Sequence, residues 1–189
     1  MNKGKTISRY FLAIALETKT RQLLSKAIQV LKNTPQGKLV RWLASENLHL
    51  TIKFLGSAQK SHLLTLQPIL TKTCQNLPPF RIELATVSLF PNQHPKVVVV
   101  DLAYSEPLLN LFAKTEQAAI QAGFESEIHP ARPHITLGYL QDEKRIPSFN
   151  LDLTTMHEGF FVKSLTLFHS ISQTNGPAKH EVVESYHLH

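Results

Sequence analysis

The sequence predicts an α+β fold: a bilobal, pseudo-twofold duplication in which two mainly antiparallel sheets face a central groove and helices pack outside. Three observations predict it. Short alternating apolar runs outnumber the helix-like stretches and come in adjacent groups, not in strict strand–helix alternation. Two segments resemble each other, Leu48-His49-Leu50-Thr51-Ile52 and Pro133-His134-Ile135-Thr136-Leu137. Their histidines stand 85 residues apart, and the same shift superposes other elements without a gap. Phe11–Ala15 falls on Lys96–Val100, Leu23, Leu24 and Ala27 fall on Leu108, Leu109 and Phe112, and Phe80–Leu84 falls on Leu165–His169. A diverged internal repeat accounts for this most simply. The 189 residues make a single domain, with lobes expected from the halves 1–92 and 93–189.

The elements follow in order. A strand is expected at 9–16, rich in Phe, Leu and Ile. A helix at 18–33 is opened by Thr18 as cap, carries Leu23, Leu24, Ala27, Ile28 and Leu31 at helical spacing, and ends at Pro35-Gln36-Gly37. A short strand at 39–43 precedes the first motif strand at 47–55, which ends at Gly56. Ser61 to Gln75 reads as a helix with Leu63, Leu66, Leu70 and Cys74 on one side, stopped by Leu77-Pro78-Pro79. A strand at 80–89 alternates Phe80, Ile82 and Leu84 with Arg81, Glu83 and Ala85. The second half repeats the plan: strand 96–102, helix 105–122 with Gly123 as C-cap, strand 125–129 and motif strand 133–140. A polar segment, 141–150, suits a short helix. Strands at 160–170 and 180–188, joined by a Thr174-Asn175-Gly176-Pro177 turn, finish the chain.

Composition narrows the function classes. A formal net charge of +6 and a pI near 9.5 favour a polyanionic partner such as RNA. A lone cysteine, Cys74, excludes an internal disulfide framework, suits a reducing cytoplasm and reads as a small buried apolar residue. The apolar run Tyr10–Leu16 is too short to span a membrane, and its basic lead-in (Lys3, Lys5, Arg9) is followed by no small-residue cleavage site. There is no GxxxxGK[ST] phosphate loop, no HExxH and no CxxC, so nucleoside-triphosphate and zinc chemistry lack support, and no cofactor or metal is expected. A cytoplasmic monomer without membrane association is expected.

Two His-x-Thr pairs are within what chance gives in a chain with ten histidines, and two ordinary half-buried strands are the bland alternative. Their shared register carries the weight. On a strand, residues i and i+2 share a face, so each segment presents an imidazole beside a hydroxyl. Extended by two, the first face shows Asn47, His49, Thr51 and Lys53, and the second shows Arg132, His134, Thr136 and Gly138. The opposite faces carry Leu48, Leu50, Ile52 and Phe54, and Ile135, Leu137 and Tyr139. Two histidines can divide acid and base roles near neutral pH. The threonines can donate to non-bridging phosphate oxygens, Arg132 can bind phosphate through its fork, and Lys53 can contact a backbone phosphate. This is equipment for metal-free phosphoester chemistry, suited to a strained cyclic phosphate. His62, His94, His129, His187 and His189 read as surface residues.

The chain resembles the two-histidine phosphoesterase superfamily, and within it the RNA 2′,3′-cyclic phosphodiesterases also called 2′-5′ RNA ligases. The resemblance runs nearly end to end. It is carried by Arg9-Tyr10-Phe11-Leu12-Ala13-Ile14, Glu46-Asn47-Leu48-His49-Leu50-Thr51-Ile52-Lys53-Phe54-Leu55-Gly56, Pro79-Phe80, Phe90-Pro91, Arg132-Pro133-His134-Ile135-Thr136-Leu137 and Leu167-Phe168-His169-Ser170. It implies a bilobal fold around a groove and hydrolysis of an RNA 2′,3′-cyclic phosphate end to a 2′-phosphate without metal. Its four catalytic positions match His49, Thr51, His134 and Thr136. Analogy gives His49 the acid role and His134 the base role. Relatives usually carry a basic residue where this chain has Tyr139, and Tyr139 is expected to face the core instead of contacting phosphate. The alternatives are reversible 2′-5′ ligation of tRNA halves by the same groups, and an RNA- or nucleotide-binding module without turnover. The latter would be marked by loss of a motif residue, and all four are present.

Overall fold

The alternating runs become strands because their successive residues meet opposite surroundings, one apolar and one wet. A computed structural model describes residues 8–128, 130–149, 151–154, 158–172 and 178–189. The elements are β1 (Ser8–Ala15), α1 (Thr18–Lys32), β2 (Val40–Trp42), β3 (His49–Gly56), α2 (Lys60–Gln75), β4 (Phe80–Phe90), β5 (Val97–Leu102), α3 (Glu106–Gln121), β6 (His134–Leu140), β7 (Gly159–Val162), β8 (Ser164–Ile171) and β9 (Lys179–His187). Every pairing between these strands is antiparallel, along the path β7-β4-β5-β6-β3-β1-β8-β9, with β2 added to β6. The sheet curls into a half-barrel accompanied by the three helices. The two expected sheets are thus halves of one, joined where β3 meets β6.

The 85-residue shift is visible in this order. It carries β3 onto β6, β1 onto β5 and β4 onto β8, so β8-β1-β3 and β4-β5-β6 are equivalent triplets. The halves of the sheet do not coincide with the halves of the chain. β4, from the first half, lies beside β5, whereas β8 and β9, from the second, extend β1.

The helices bury the stripes that their spacing predicts: Leu24, Ala27, Ile28 and Leu31 on α1, Leu66, Leu70 and Cys74 on α2, and Leu108, Leu111 and Ala118 on α3. Burial pushes the Cys74 thiol up to about 11, which suits a packing role. Gly123 ends α3 at φ +89°, where a side chain would be strained. Thr18 opens α1 as its first residue and not as its cap; Glu17 holds the cap position. None of the described helices is long and apolar enough to cross a membrane.

Three expectations fail for identifiable reasons. Residues 124–128 form a loop, not a strand, with Ile128 exposed and the backbone tied down by side chains from elsewhere. The segment after β6 holds a turn in place of a helix. Asp142 accepts from the Lys144 backbone N–H, and Pro147 follows. The expected strand 160–170 is two strands, β7 on β4 and β8 on β1, because the chain crosses between half-sheets at Lys163. The Thr174–Pro177 turn and His129 lie outside the described residues.

Lys53 shows how β3 departs from simple alternation. Thr51 pairs with Ala13 and Lys53 with Leu12, which leaves Ile52 as an extra residue, a β-bulge. Beyond it the faces exchange. Lys53 is only 5% exposed, whereas Phe54 is 67% exposed. The Lys53 ammonium lies 2.9 Å from Glu116 of α3 and donates to the Glu125 carbonyl at 2.9 Å. Burial opposes charge on Glu116, but the Glu127 backbone N–H and the Lys53 ammonium outweigh it and hold the carboxyl below its ordinary range. The Lys53 ammonium, for which a phosphate contact was expected, is engaged by this ion pair, which fastens α3 and its following loop to β3. Lys53→Met should cost about 2–4 kcal/mol, because it strands a partly buried carboxylate. Adding Glu116→Leu should recover most of that loss, as read by urea denaturation.

Candidate active site

Antiparallel pairing of Leu50 with Ile135 brings the two motifs together. In that register His49 lies across from Thr136, and Thr51 lies across from His134. All four side chains are half-buried and line one groove of about 1130 Å³, while Leu50 and Ile135 are buried on the opposite face. The structure thus brings together His49, Thr51, His134 and Thr136, and Asn47, Lys53 and Arg132 line the same groove.

The two imidazoles are held alike. His49 Nδ1 is 2.7 Å from the Asn47 carbonyl, and His134 Nδ1 is 2.7 Å from the Arg132 carbonyl. A carbonyl only accepts, so Nδ1 is the donor in each and Nε2 is the nitrogen left for acid–base chemistry. Each ring also rests on a phenylalanine, Phe11 against His49 and Phe90 against His134, both with centroids 4.9 Å apart. Asn47 contributes its backbone carbonyl to fixing His49.

The surroundings of the rings differ. His180 of β9, which belongs to neither motif, stands edge-on to His49 with centroids 5.5 Å apart, and its Nδ1 is buried without a hydrogen-bond partner. Burial lowers the His49 pKa to about 4, and repulsion by His180 and His134 adds to this, against an opposing pull from the Asn47 carbonyl. His180 is itself lowered by burial. The only signal for His180 in the sequence is its place at the start of a predicted strand.

Arg132 does not present a free fork. Its Nη2 lies 2.9 Å from Asp101 Oδ1, its Nε 3.2 Å from the same oxygen, and its Nη1 donates to Asn92 at 2.8 Å. Ser88 donates to Asp101 at 2.6 Å, and the guanidinium covers Phe90, 4.9 Å from the ring centroid. Asp101 is the cross-strand partner of His134. The expected bidentate phosphate contact is therefore taken by Asp101, and the guanidinium braces both the phenylalanine behind His134 and the strand that carries it.

β6 has its own bulge. Thr136 pairs with Val99 and Gly138 with Val98, which leaves Leu137 extra, at the position equivalent to Ile52. The faces exchange as in β3, and Tyr139, expected in the core, is 41% exposed and lines the groove. Among the described residues, no group of three or more His, Cys, Asp or Glu is placed to hold a metal ion.

Comparison with known proteins bears on the family and the fold. A family model described as LigT-like phosphoesterase matches twice, over residues 14–100 and 100–178, as an internal repeat would. An RNA 2′,3′-cyclic phosphodiesterase of Methanocaldococcus jannaschii is 27% identical over 182 residues, covering 94% of this chain and 99% of that protein. One of Bacillus subtilis is 31% identical over 110 residues, 58% of this chain, and the match spans about 60% of that relative's length. Among solved structures, Escherichia coli LigT complexed with 3′-AMP superposes with a TM-score of 0.80 at 23% identity, over 97% of this chain and 99% of that one. A Thermus thermophilus structure gives 0.79 at 23%, over 95% and 97%. With the family model matched across both halves, the chain belongs to the LigT-like phosphoesterase family.

Proposed function

We propose that the protein hydrolyses the 2′,3′-cyclic phosphate of RNA ends to a 2′-phosphate by acid–base catalysis between His49 and His134. The observation that carries this reading is the matched pair of imidazoles, each fixed through Nδ1 by a carbonyl two residues earlier and flanked by a motif threonine. The names of relatives at 25–31% identity support the substrate class. Water adds to phosphorus as one neutral Nε2 takes its proton. The P–O3′ bond breaks, and O3′ receives a proton from the other imidazolium. Thr51 and Thr136 donate to the non-bridging oxygens, where negative charge is held.

We assign the roles opposite to analogy. His49 enters neutral because burial and two neighbouring imidazoles disfavour its cation, which suits the base. His134 then serves as acid. Ligation of two RNA ends would run the same steps with a ribose hydroxyl in place of water: the hydroxyl adds to phosphorus, the P–O3′ bond breaks and a 2′-5′ diester is left.

The test is turnover of adenosine 2′,3′-cyclic phosphate in EDTA, with the product resolved as the 2′- or 3′-phosphate. Activity should persist in EDTA. His49→Ala and His134→Ala should each lower kcat by about 10²–10⁴-fold, and Thr51→Val and Thr136→Val by about 10–10³-fold, with all four proteins still folded. Loss of melting temperature without loss of turnover per folded molecule would make the histidines structural.

The pH profile of kcat/KM should be bell-shaped, with its acid limb well below the ordinary histidine value and approaching pH 4. The sign for stability follows from the same shift. His49 has a folded-state pKa below its unfolded value of 6.5, so its contribution is complete above about pH 6.5 and is lost as pH falls toward 4. The melting temperature of His49→Gln should decline less over that interval than that of the parent protein.

Arg132→Ala should lower kcat about tenfold with little change in KM, since its loss frees Phe90 and leaves Asp101 unpaired. Arg132→Lys should rescue poorly, because a point charge does not reproduce the fork. A rise in KM alone would return Arg132 to the phosphate.

A further inference from the structure

The groove continues past the histidines to an aromatic–cation pair that the hydrolytic steps do not use. Arg41 of β2 is the ladder partner of Tyr139 of β6, and its guanidinium lies over the phenol ring, 5.0 Å from the centroid. Both side chains are exposed and both line the groove that holds the catalytic pair. Among the described residues no carboxylate pairs with Arg41, whereas Arg132 in the same groove is occupied by Asp101.

Three features of this chain build the pair. The Leu137 bulge turns Tyr139 toward the groove. Gly138 admits β2, since a Cβ there would stand 2.6 Å from Val40 Cγ1 and 3.0 Å from the Arg41 carbonyl oxygen. Trp42 anchors β2 by donating from its indole nitrogen to the Gly37 carbonyl at 2.9 Å. A three-residue strand that joins only β6 is thereby held at the spacing that lays Arg41 on Tyr139.

We propose that Arg41 and Tyr139 form a nucleotide subsite that takes the RNA residue adjoining the terminal one. This rests on the phosphodiesterase reading above. Tyr139 lies three residues past Thr136, ~10 Å along the strand at the usual rise. That is beyond a phosphate held between the histidines and within reach of the neighbouring nucleotide. Single-stranded RNA is gripped by bases stacked on aromatic rings and guanidinium planes, with cations on the backbone. Arg41 on Tyr139 offers a stacking plane and an unspent positive charge at one place. The groove therefore selects an oligonucleotide end over a mononucleotide.

The experiment compares kcat/KM for a short RNA ending in a 2′,3′-cyclic phosphate with that for adenosine 2′,3′-cyclic phosphate. The parent protein should prefer the RNA. In Arg41→Ala and Tyr139→Ala the ratio of the two constants should fall at least about fivefold, the lower end for loss of one stacked base. Tyr139→Phe, which keeps the ring, should retain the preference. Equal losses on both substrates would place the pair in support of the histidines, and an unchanged ratio would leave it outside the RNA path; either overturns the proposal. Binding of a fluorescent RNA bearing a terminal 3′-phosphate, read by anisotropy, decides the subsite independently of turnover. Arg41→Ala should weaken it at least about fivefold and flatten its salt dependence by about one ion, against the parent protein. Undiminished binding with an unchanged salt slope overturns the subsite even where the hydrolytic reading stands. Failure of the parent protein to turn over either substrate, with the anisotropy difference intact, overturns the hydrolytic reading alone.

Discussion

The repeated motifs meet through the pairing of Leu50 with Ile135, and the geometry of the groove depends on it. These residues are equivalent under the 85-residue shift, so the local twofold passes between them. Both are fully buried, and burial specifies register, because a slip of one residue would turn each histidine into the core and each leucine or isoleucine into water. A slip of two would keep the faces but part His49 from Thr136. Hydrophobic packing beneath the strand pair therefore aligns polar chemistry above it.

A symmetric scaffold poses a problem for acid–base catalysis, since two identical imidazoles would titrate together. The surroundings break the symmetry while the supports preserve it. Both rings have the same carbonyl partner offset and the same phenylalanine backing. Around His49 the neighbours are apolar or imidazole, Phe11, Phe168 and His180. Around His134 they include an ion pair, Arg132 with Asp101, which also ties the residue before the motif to the strand across from it. One site withholds charge from its ring, and the other surrounds its ring with fixed dipoles and full charges. Duplication supplied two copies of the same holder, and divergence beside them gave the copies different surroundings.

The elements and the motif register were legible because each has a local periodic signal: helical spacing in α1 to α3, and alternation in β1, β3, β4 and β6. The motif quartet was legible for the same reason. What was not legible depends on contacts distant in sequence. Strand 160–170 carries one continuous apolar pattern, and only the positions of β4 and β1 divide it into β7 and β8. Arg132 read as a phosphate ligand because Asp101, 31 residues away, gives no sign in sequence of being its partner. Lys53 misled similarly, since Glu116 reaches it from 63 residues away. His180 stands beside His49 only because β9 pairs with β8, β8 with β1, and β1 with β3.

The paired bulges explain why period-two reasoning held through the threonines and failed immediately after them. Residues 49–54 and 134–139 have the same sequence of environments: half-buried, buried, half-buried, buried, buried, exposed. An extra residue at Ile52 and at Leu137 resets the alternation, so the next exposed positions are 54 and 139 and not 53 and 138. On β3 this places a phenylalanine at the groove and sends a lysine inward to anchor α3. On β6 it places a tyrosine at the groove and leaves a glycine inward, where β2 needs the space. The bulge divides each strand into two layers: a His-x-Thr layer that both copies retain, and an aromatic layer one step further along. The inward residue beside each aromatic has diverged, to Lys53 in one copy and Gly138 in the other. That difference brings β2, and with it Arg41, to one end of the groove only. The repeated part of the molecule is where a phosphate would be handled symmetrically, and the part that departs from repetition is where a nucleic-acid strand, which has a direction, would be told one end from the other.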